Sequence, residues 1–400
     1  MHCFRKVTED LYWVGASDRR LELFENIFPL SDGVSYNSYL LMDEKTVLFD
    51  SADYAVGRQF LENIQAVLDG RSLDYLVVNH MEPDHCAMIE ELILRYPDMQ
   101  LIGNAKTFPM IDQFFDLDLE GKKIIVKEGD TFSSGKHTFH FVMAPMVHWP
   151  EAMMTYDETD KVLFSADAFG TFKALNGNIF NDEVNFDRDW LDEARRYYTN
   201  IVGKYGMQVQ NVLKKAASLD ITFICPLHGP VWRTDLDYII GKYDTWSKYE
   251  PEEKGVLIAY ASMYGNTENM VDTFALMLAE EGVKDIHVHN ISKTHVSELI
   301  ADSFKYSHIV LAAPTYNNGI YPLMDNFLED MKALALKNRT IALLGNGTWA
   351  PQSTKLMAAR TEEMKGMTLL ENSVTVKSSL KDAQMEELKT LSRQIAAEVL

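Results

Sequence analysis

Short apolar runs alternate with amphipathic stretches along the whole chain, the rhythm of strands and helices packed in layers. In the first 250 residues the runs TVLFDSA (46–52), DYLVVNH (74–80), KKIIVKEGD (122–130), TFHFVMAP (138–145) and KVLFSAD (161–167) read as strands. Some neighbours lie too close for an intervening helix, so this part is predicted to hold a mixed sheet with helices outside it. The charged, Pro- and Gly-containing stretch YEPEEKG (249–255) marks a boundary, which predicts domains over 1–250 and 255–400. Beyond it the rhythm is strictly strand then helix: GVLIAYA, a helix from Thr267 to about Glu281, IHVHNIS, a helix near 294–304, HIVLAAPTY, a helix near 322–335, TIALLGNG, a helix near 351–364, LLENSVTV, and a last helix from about 381. Five strands and five helices in about 145 residues predict a doubly wound parallel sheet. Met270, Phe274 and Met277 are spaced for one helix face, and Gly282 is placed to end that helix.

Charge narrows the function classes. The chain has 400 residues with 38 Lys plus Arg against 59 Asp plus Glu, a formal net charge of −21. That surplus repels phosphate backbones and anionic lipid, which argues against nucleic-acid and membrane-surface binding. No apolar run approaches the ~18 residues of a membrane span, and MHCFRKVTEDL has no signal-peptide hydrophobic region, so a cytoplasmic protein is expected. The three cysteines, Cys3, Cys86 and Cys225, form no CxxC motif, so any metal must be held by His and carboxylate.

Such donors are present in a pattern. The segment NHMEPDHCAMIEEL (79–92) follows a buried-looking strand, opens a helix, and carries His80, Glu82, Asp84 and His85. Alternation along an extended strand end would point His80, Glu82 and Asp84 the same way, with His85 entering from the helix start. His148 in APMVHWP, Asp167 in LFSADAFG and His228 in ICPLHGP each end a β-like run. Donors on strand ends are held by a rigid scaffold, as a preorganised metal site requires. A single His after a strand is ordinarily a hydrogen-bonded core or surface residue, but seven donors all so placed are not explained that way. His2, His137, His140, His287, His289, His295 and His308 lack acidic partners at ligand spacing and read as structural or solvent-facing. Cys86 and Cys225 read as small buried apolar residues rather than ligands.

A second constellation lies past the boundary. SMYGNTENM (262–270) runs from the first strand into its helix and is no Walker loop, since GxxxxGK is absent. Its small and hydroxyl residues at a helix N-terminus can cradle a monophosphate through backbone N–H groups, with Ser262, Tyr264, Gly265, Asn266 and Thr267 as candidates. The third strand ends in Pro314, Thr315, Tyr316, Asn317, Asn318 and Gly319, and the fourth in Asn346, Gly347, Thr348 and Trp349. In a doubly wound sheet these loops converge on one crevice at the switch point, where Tyr316 and Trp349 could flank a flat ring. No GxGxxG follows the first strand, so FMN is expected rather than a dinucleotide.

The donor run 80–85 resembles the HxHxDH zinc motif of the metallo-β-lactamase fold, with Glu82 in place of the second His. Carboxylate oxygen is a harder ligand than imidazole and suits a redox-active iron better than zinc. Glu82, Asp84 and Asp167 supply −3, so two ferrous ions leave +1, which one bridging hydroxide neutralises. Together with the SMYGNTE loop, this motif makes the chain resemble the flavodiiron proteins, or A-type flavoproteins, over essentially its whole length. The resemblance implies an α/β and α+β chain, a metallo-β-lactamase-like αββα sandwich followed by a flavodoxin-like doubly wound five-stranded sheet. It implies FMN and two non-haem irons, with His80, Glu82, His148 and Asp167 on one iron, Asp84, His85, His228 and Asp167 on the other, and Asp167 bridging. Tyr197 in ARRYYTNI matches a tyrosine beside the iron pocket, and Trp149 is a further candidate lining residue. Some relatives carry a pocket His near position 25, where this chain has Glu25.

The family reduces O₂ to water with four electrons, NO to N₂O, or both. The resemblance also implies a head-to-tail homodimer, or a dimer of dimers, in which the FMN of one subunit faces the diiron site of the other. The chain ends at Leu400 in the last flavodoxin helix with no four-Cys rubredoxin-like extension. Electrons are therefore expected from a separate donor, rubredoxin or a reduced deazaflavin coenzyme. Two other readings are open on sequence alone: a lactamase-fold hydrolase joined to a flavodoxin module, and an electron-carrier flavoprotein with a structural metal domain.

Overall fold

In the computed structural model, which describes residues 2–400, the chain forms two units. One runs to Tyr198 and includes Met207–Asp244; the other comprises Thr199–Gly206 and Thr245–Leu400.

The first unit is built on two facing sheets. In the seven-stranded sheet the order is Arg5–Lys6, Leu11–Trp13, Tyr39–Met42, Thr46–Phe49, Tyr75–Val77, Gln100–Asn104, Lys123–Val126. Pairing is antiparallel as far as Thr46–Phe49 and parallel beyond it. The parallel strands need crossovers, which the helices Gly57–Leu68, Ile89–Arg95 and Thr107–Phe114 supply. Gly57–Leu68 turns Phe60, Ile64, Val67 and Leu68 inward at helical spacing. The second sheet, ordered Thr131–Ser133, Thr138–Met143, Met153–Asp157, Val162–Phe164, Phe223–Cys225, is antiparallel except for its last pair. Aromatic rings join the sheets: Phe49 stacks on Phe164 at 3.7 Å between centroids and meets Phe139 edge-on at 5.4 Å. Mixed pairing is thus present, as the strand spacing predicts, but in two sheets. The two sheets are those of the αββα sandwich that the resemblance implies; the single sheet read from spacing fails because hairpin spacing reveals strand contacts and not which sheet a strand joins.

The register decides where function can sit. Phe49 pairs with Val77, and Phe164 with Cys225, in parallel, so the chain leaves those four strands at one end of the sandwich. Met143 pairs with Met153, which turns the 144–152 loop toward that same end.

The second unit has five parallel strands in the order Ile286–Asn290, Glu253–Tyr260, Tyr306–Pro314, Thr340–Asn346, Thr368–Val376, a flavodoxin-like 2-1-3-4-5 sheet. Met270, Phe274 and Met277 of the helix Asn266–Glu280 enter one buried cluster with Val256, Ile258 and Tyr260. Leu388, Leu391 and Ile395 of Asp382–Val399 join it. Gly282 follows that first helix with φ +99°, a left-handed conformation that glycine adopts without steric cost. No helix among the described residues is long and apolar enough to cross a membrane.

Candidate functional sites

All seven sequence-predicted donors are buried at the shared strand end of the first unit. They form two converging groups. His148 Nε2 lies 3.0 Å from Glu82 Oε2 and 3.1 Å from Asp167 Oδ2, and His80 Nε2 lies 3.3 Å from both His148 Nε2 and Asp167 Oδ2. In the second group His85 Nε2 lies 3.0 Å from His228 Nε2 and 3.1 Å from Asp167 Oδ1, while Asp84 Oδ2 is 3.4 Å from each imidazole. Donors held ~2.0–2.2 Å from one ion sit about 3.0–3.5 Å apart, so both groups have the spacing of a coordination shell. Asp167 offers one oxygen to each. Alternation along the chain brings His80 and Glu82 together but not Asp84, which lies inside the short helix Pro83–Cys86 and turns with His85 to the second group.

The donor set fits two divalent cations. Asp84 Oδ1 and Oδ2 and Asp167 Oδ1 are buried without a hydrogen-bond partner. Burial of unpaired carboxylate oxygen is costly, and a cation supplies what is missing. Burial disfavours charged imidazoles, yet the carboxylates win. Asp84 and Asp167 push His85 up to about 8, and Asp167 with Glu82 push His148 up to about 9. His80 is raised well above its usual value by Asp167, Glu151 and Glu82, and the imidazoles hold Glu82 and Asp167 below the usual carboxylate range despite burial.

Metal ligation requires neutral rings, so loading the metal-free protein at pH 7 should release about three protons per chain, from His80, His85 and His148. Calorimetry in buffers of different ionisation enthalpy would measure that number, and none released would contradict the charge state. The raised values also set a sign. The stabilisation is fully present below the unfolded imidazole value of about 6.5 and is lost as pH rises through 8 to 9. Metal-free protein should melt several degrees lower at pH 9 than at pH 6.5, at about 2–4 °C per kcal/mol.

Several supporting residues carry no motif in the sequence. Glu151 is buried, its Oε1 accepting the Met81 N–H at 2.8 Å and facing His80 Nδ1 at 2.9 Å. Its position three residues past His148 was the available signal. Asp50, pushed up to about 6 by burial, accepts from the backbone N–H groups of Asn79 and His80. His228 Nδ1 reaches the Ser35 carbonyl at 2.7 Å, and Phe24 and Tyr36 meet the His228 ring edge-on at 5.5 and 5.8 Å. Phe24 opens a tight turn in which Glu25 and Asn26 both have positive φ and Ile27 N–H donates to Phe24 O. That turn sets the Glu25 carboxyl against Glu82, where partial burial and the neighbouring carboxylate push it up to about 8.

The two candidate lining residues are adjacent. Tyr197 is fully buried with its hydroxyl unpartnered, and its ring lies 5.4 Å from His228. Trp149 meets His80 edge-on at 5.5 Å. The other seven histidines separate from this site, but four gain acidic partners from distant segments that sequence spacing could not show, among them His140 with Glu158 at 2.7 Å and His308 with Glu398 at 3.2 Å. His137 Nδ1 is 2.7 Å from Asp157, and His289 Nε2 is 2.7 Å from Asp302. Cys86 and Cys225 are buried and free.

In the second unit the three predicted loops enclose a cavity of 510 Å³. Thirteen of the fifteen predicted residues line it; Gly265 and Gly319 do not. Gly265, at φ +89°, precedes the helix Asn266–Glu280, and Gly319 closes a turn with Tyr316 through hydrogen bonds in both directions. The Thr315 hydroxyl is already committed, accepting the N–H groups of Gln352 and Ser353. Asn346 likewise clamps Ser378, which lines the cavity from the fifth strand and was missed by sequence reasoning. Tyr264 and Trp349 are 92% and 86% exposed, an unusual state for large aromatic rings beside a helix N-terminus. A flat apolar ring with a phosphate tail fits this arrangement of rim aromatics and free first-turn N–H groups.

A lactamase-like fold with a paired cation pocket and, in the same chain, a flavodoxin-like fold with a flat-ring cavity define a binuclear metalloflavoprotein. Residues 34–229 match the family described as ODP family beta lactamase, and residues 258–390 match flavodoxin. An anaerobic nitric oxide reductase flavorubredoxin from Vibrio vulnificus is 33% identical over 354 residues, spanning 86% of this chain and 70% of that protein. The rubredoxin oxygen:oxidoreductase from Desulfovibrio gigas superposes with a TM-score of 0.92 at 29% identity, covering 99% of this chain and 98% of that one. The flavodiiron protein from Giardia intestinalis has the same fold, with a TM-score of 0.89 at 24% identity over 99% and 98% of the two chains. The chain belongs to the flavodiiron protein family.

Proposed function

We propose that this chain reduces O₂ to water, NO to N₂O, or both, at a non-haem diiron centre fed by FMN. The observation that carries the reading is Asp167, whose two oxygens serve two donor groups, with Glu82 supplying a hard oxygen where the lactamase zinc motif has an imidazole. A hydrolase would need neither that hardness nor a flavin cavity. When bound, FMN and the iron pair together hold four electrons, the number O₂ + 4e⁻ + 4H⁺ → 2H₂O requires, whereas 2NO + 2e⁻ + 2H⁺ → N₂O + H₂O requires two.

The residues of the chain do the rest. Glu82, Asp84 and Asp167 balance cationic charge, and the four imidazoles converge through Nε2. Trp149, Phe24 and Tyr36 keep bulk water from the imidazole faces, and Tyr197 holds a hydroxyl proton inside the pocket. Rubredoxin, or a reduced deazaflavin coenzyme, is the proposed donor, in a cytoplasmic head-to-tail homodimer. The boundary at 249–255 is the proposed limit between the metal and flavin domains.

Anaerobic reduction followed by parallel measurement of O₂ and NO consumption with one donor tests the reading, with about two irons and one FMN per chain expected. Zinc-loaded protein that hydrolyses a thioester or lactam and consumes neither gas would overturn it. For the flavin cavity, Trp349→Ala should raise the FMN dissociation constant by roughly 2–10-fold, the worth of one aromatic stacking contact. Fluorescence titration of flavin-free protein reads that change; unaltered affinity would remove Trp349 from the site.

A further inference from the structure

We infer that Glu151 is a positioning residue that makes the two metal positions electronically unequal, so that the position built on His80, Glu82 and His148 is the first to be oxidised. The inference rests on the diiron reading above and concerns what stands behind the ligands.

The imidazoles are supported differently. His80 Nδ1 faces a buried carboxylate at 2.9 Å, and the same Glu151 oxygen is fixed by the Met81 N–H at 2.8 Å. Glu151 Oε2 is buried with no hydrogen-bond partner, and His80 with the backbone amides of Met81 and of Glu151 itself compensates this charge. His228 Nδ1 has only the neutral Ser35 carbonyl, and His85 Nδ1 is buried with no hydrogen-bond partner. The carboxylates do not offset this difference, because each position has one of its own, Glu82 or Asp84, and shares Asp167. A carboxylate hydrogen-bonded to the far nitrogen of a metal-bound imidazole fixes its tautomer and raises its basicity. It also sets a buried negative charge directly against the far nitrogen of a ligand at the first position, whereas the far nitrogens of His85 and His228 face no carboxylate. Both effects favour the more highly charged ion there.

One electron leaving the diferrous pair for a one-electron oxidant such as ferricyanide therefore yields a ferric ion at the His80 position and a ferrous ion at the Asp84–His85–His228 position. Glu151 neither gains nor loses a proton in this step.

The test is a stepwise ferricyanide titration of dithionite-reduced, iron-loaded holoprotein, followed by electron paramagnetic resonance. Iron content is measured first. Wild-type protein without an iron pair would refute the diiron reading itself. With iron present, Glu151→Gln should lower the comproportionation constant about tenfold, the lower end for partners of metal-bound histidines, and so reduce the largest yield of the mixed-valent signal. It should also change the nitrogen hyperfine coupling at the ferric ion. Glu151→Asp, which keeps the charge at shorter reach, should shift both in the same direction by less, and it serves where the Gln variant binds too little iron. Unchanged mixed-valent yield and hyperfine coupling in an iron-replete variant would overturn the inference while leaving the diiron reading intact.

Discussion

Asp167→Asn should abolish gas reduction while leaving FMN bound. The carboxylate is fully buried, with Oδ2 3.1 Å from His148 Nε2 and Oδ1 3.1 Å from His85 Nε2, so it is the one side chain common to both donor groups. Asn keeps the volume and one oxygen but turns an NH₂, a donor that cannot ligate, toward one position. It also removes one of three negative charges that balance the cations. Partners behind a ligand typically cost 10–100-fold in metal affinity or activity, so loss of a shared ligand should exceed about 100-fold in activity and drop iron below one per chain. Iron assay, flavin absorbance and gas uptake on the same sample check it. Undiminished turnover would take the metal pocket out of the mechanism and favour the electron-carrier reading.

Gly229→Ala should be the most disruptive single-methyl change near the site. Gly229 follows His228 with φ +74°, and a Cβ there would lie 2.0 Å from Thr171 Cγ2. Its N–H donates to Ser35 Oγ and its carbonyl accepts from Asn37 Nδ2, so the backbone cannot slide away without breaking both bonds. Left-handed geometry costs an alanine about 1–2 kcal/mol and overpacking against a stiff, buried threonine about 1–3. A loss of roughly 2–5 kcal/mol, about 4–20 °C in melting temperature, is expected, with weaker iron binding at the second position as His228 is displaced. Adding Thr171→Ser removes Cγ2 and should recover the packing part but not the backbone part. Gly241→Ala, inside the helix Leu236–Ser247 with no atom near its Cβ and no positive φ, should have the opposite sign, stabilising by about 0.5–1 kcal/mol. Equal melting temperatures for the two alanine variants would contradict the argument.

The two halves differ in how much of them could be read in advance. The flavodoxin-like half was legible almost element by element, because a parallel sheet has to alternate strand and helix. Its buried strands, such as GVLIAY and IVLAAP, are continuous apolar runs that no other element explains. Spacing made the first half legible as strands but not as two sheets, which only the resemblance to the lactamase-like αββα sandwich implied. Its short pieces, three residues each at Leu11–Trp13, Tyr75–Val77 and Val162–Phe164, carry too little pattern to say which sheet they join.

For the sites, residue type and strand-end position sufficed to pick all seven metal donors, since few other roles ask for His and acid at that place in a strand. Chain spacing alone did not divide those donors between two positions; only the family resemblance implied a division. Asp84 leaves the group that strand alternation assigns it because Pro83 starts a helical turn, and Asp167 serves both groups because each of its oxygens faces a different pair of imidazoles. Asp50 and Ser378 were invisible, and the contacts of Glu151 and Glu25 unreadable, for a related reason: their partners lie dozens of residues away, and chain spacing carries no information about such contacts. The sequence by itself determined the element types, the donors and the flat-ring loops, because these follow from local periodicity and side-chain chemistry. Only the tertiary structure decided which donor atoms come within 3.0–3.4 Å of one another, which carboxylate backs which imidazole, and which polar groups the fold had already used, because those depend on register and crossover.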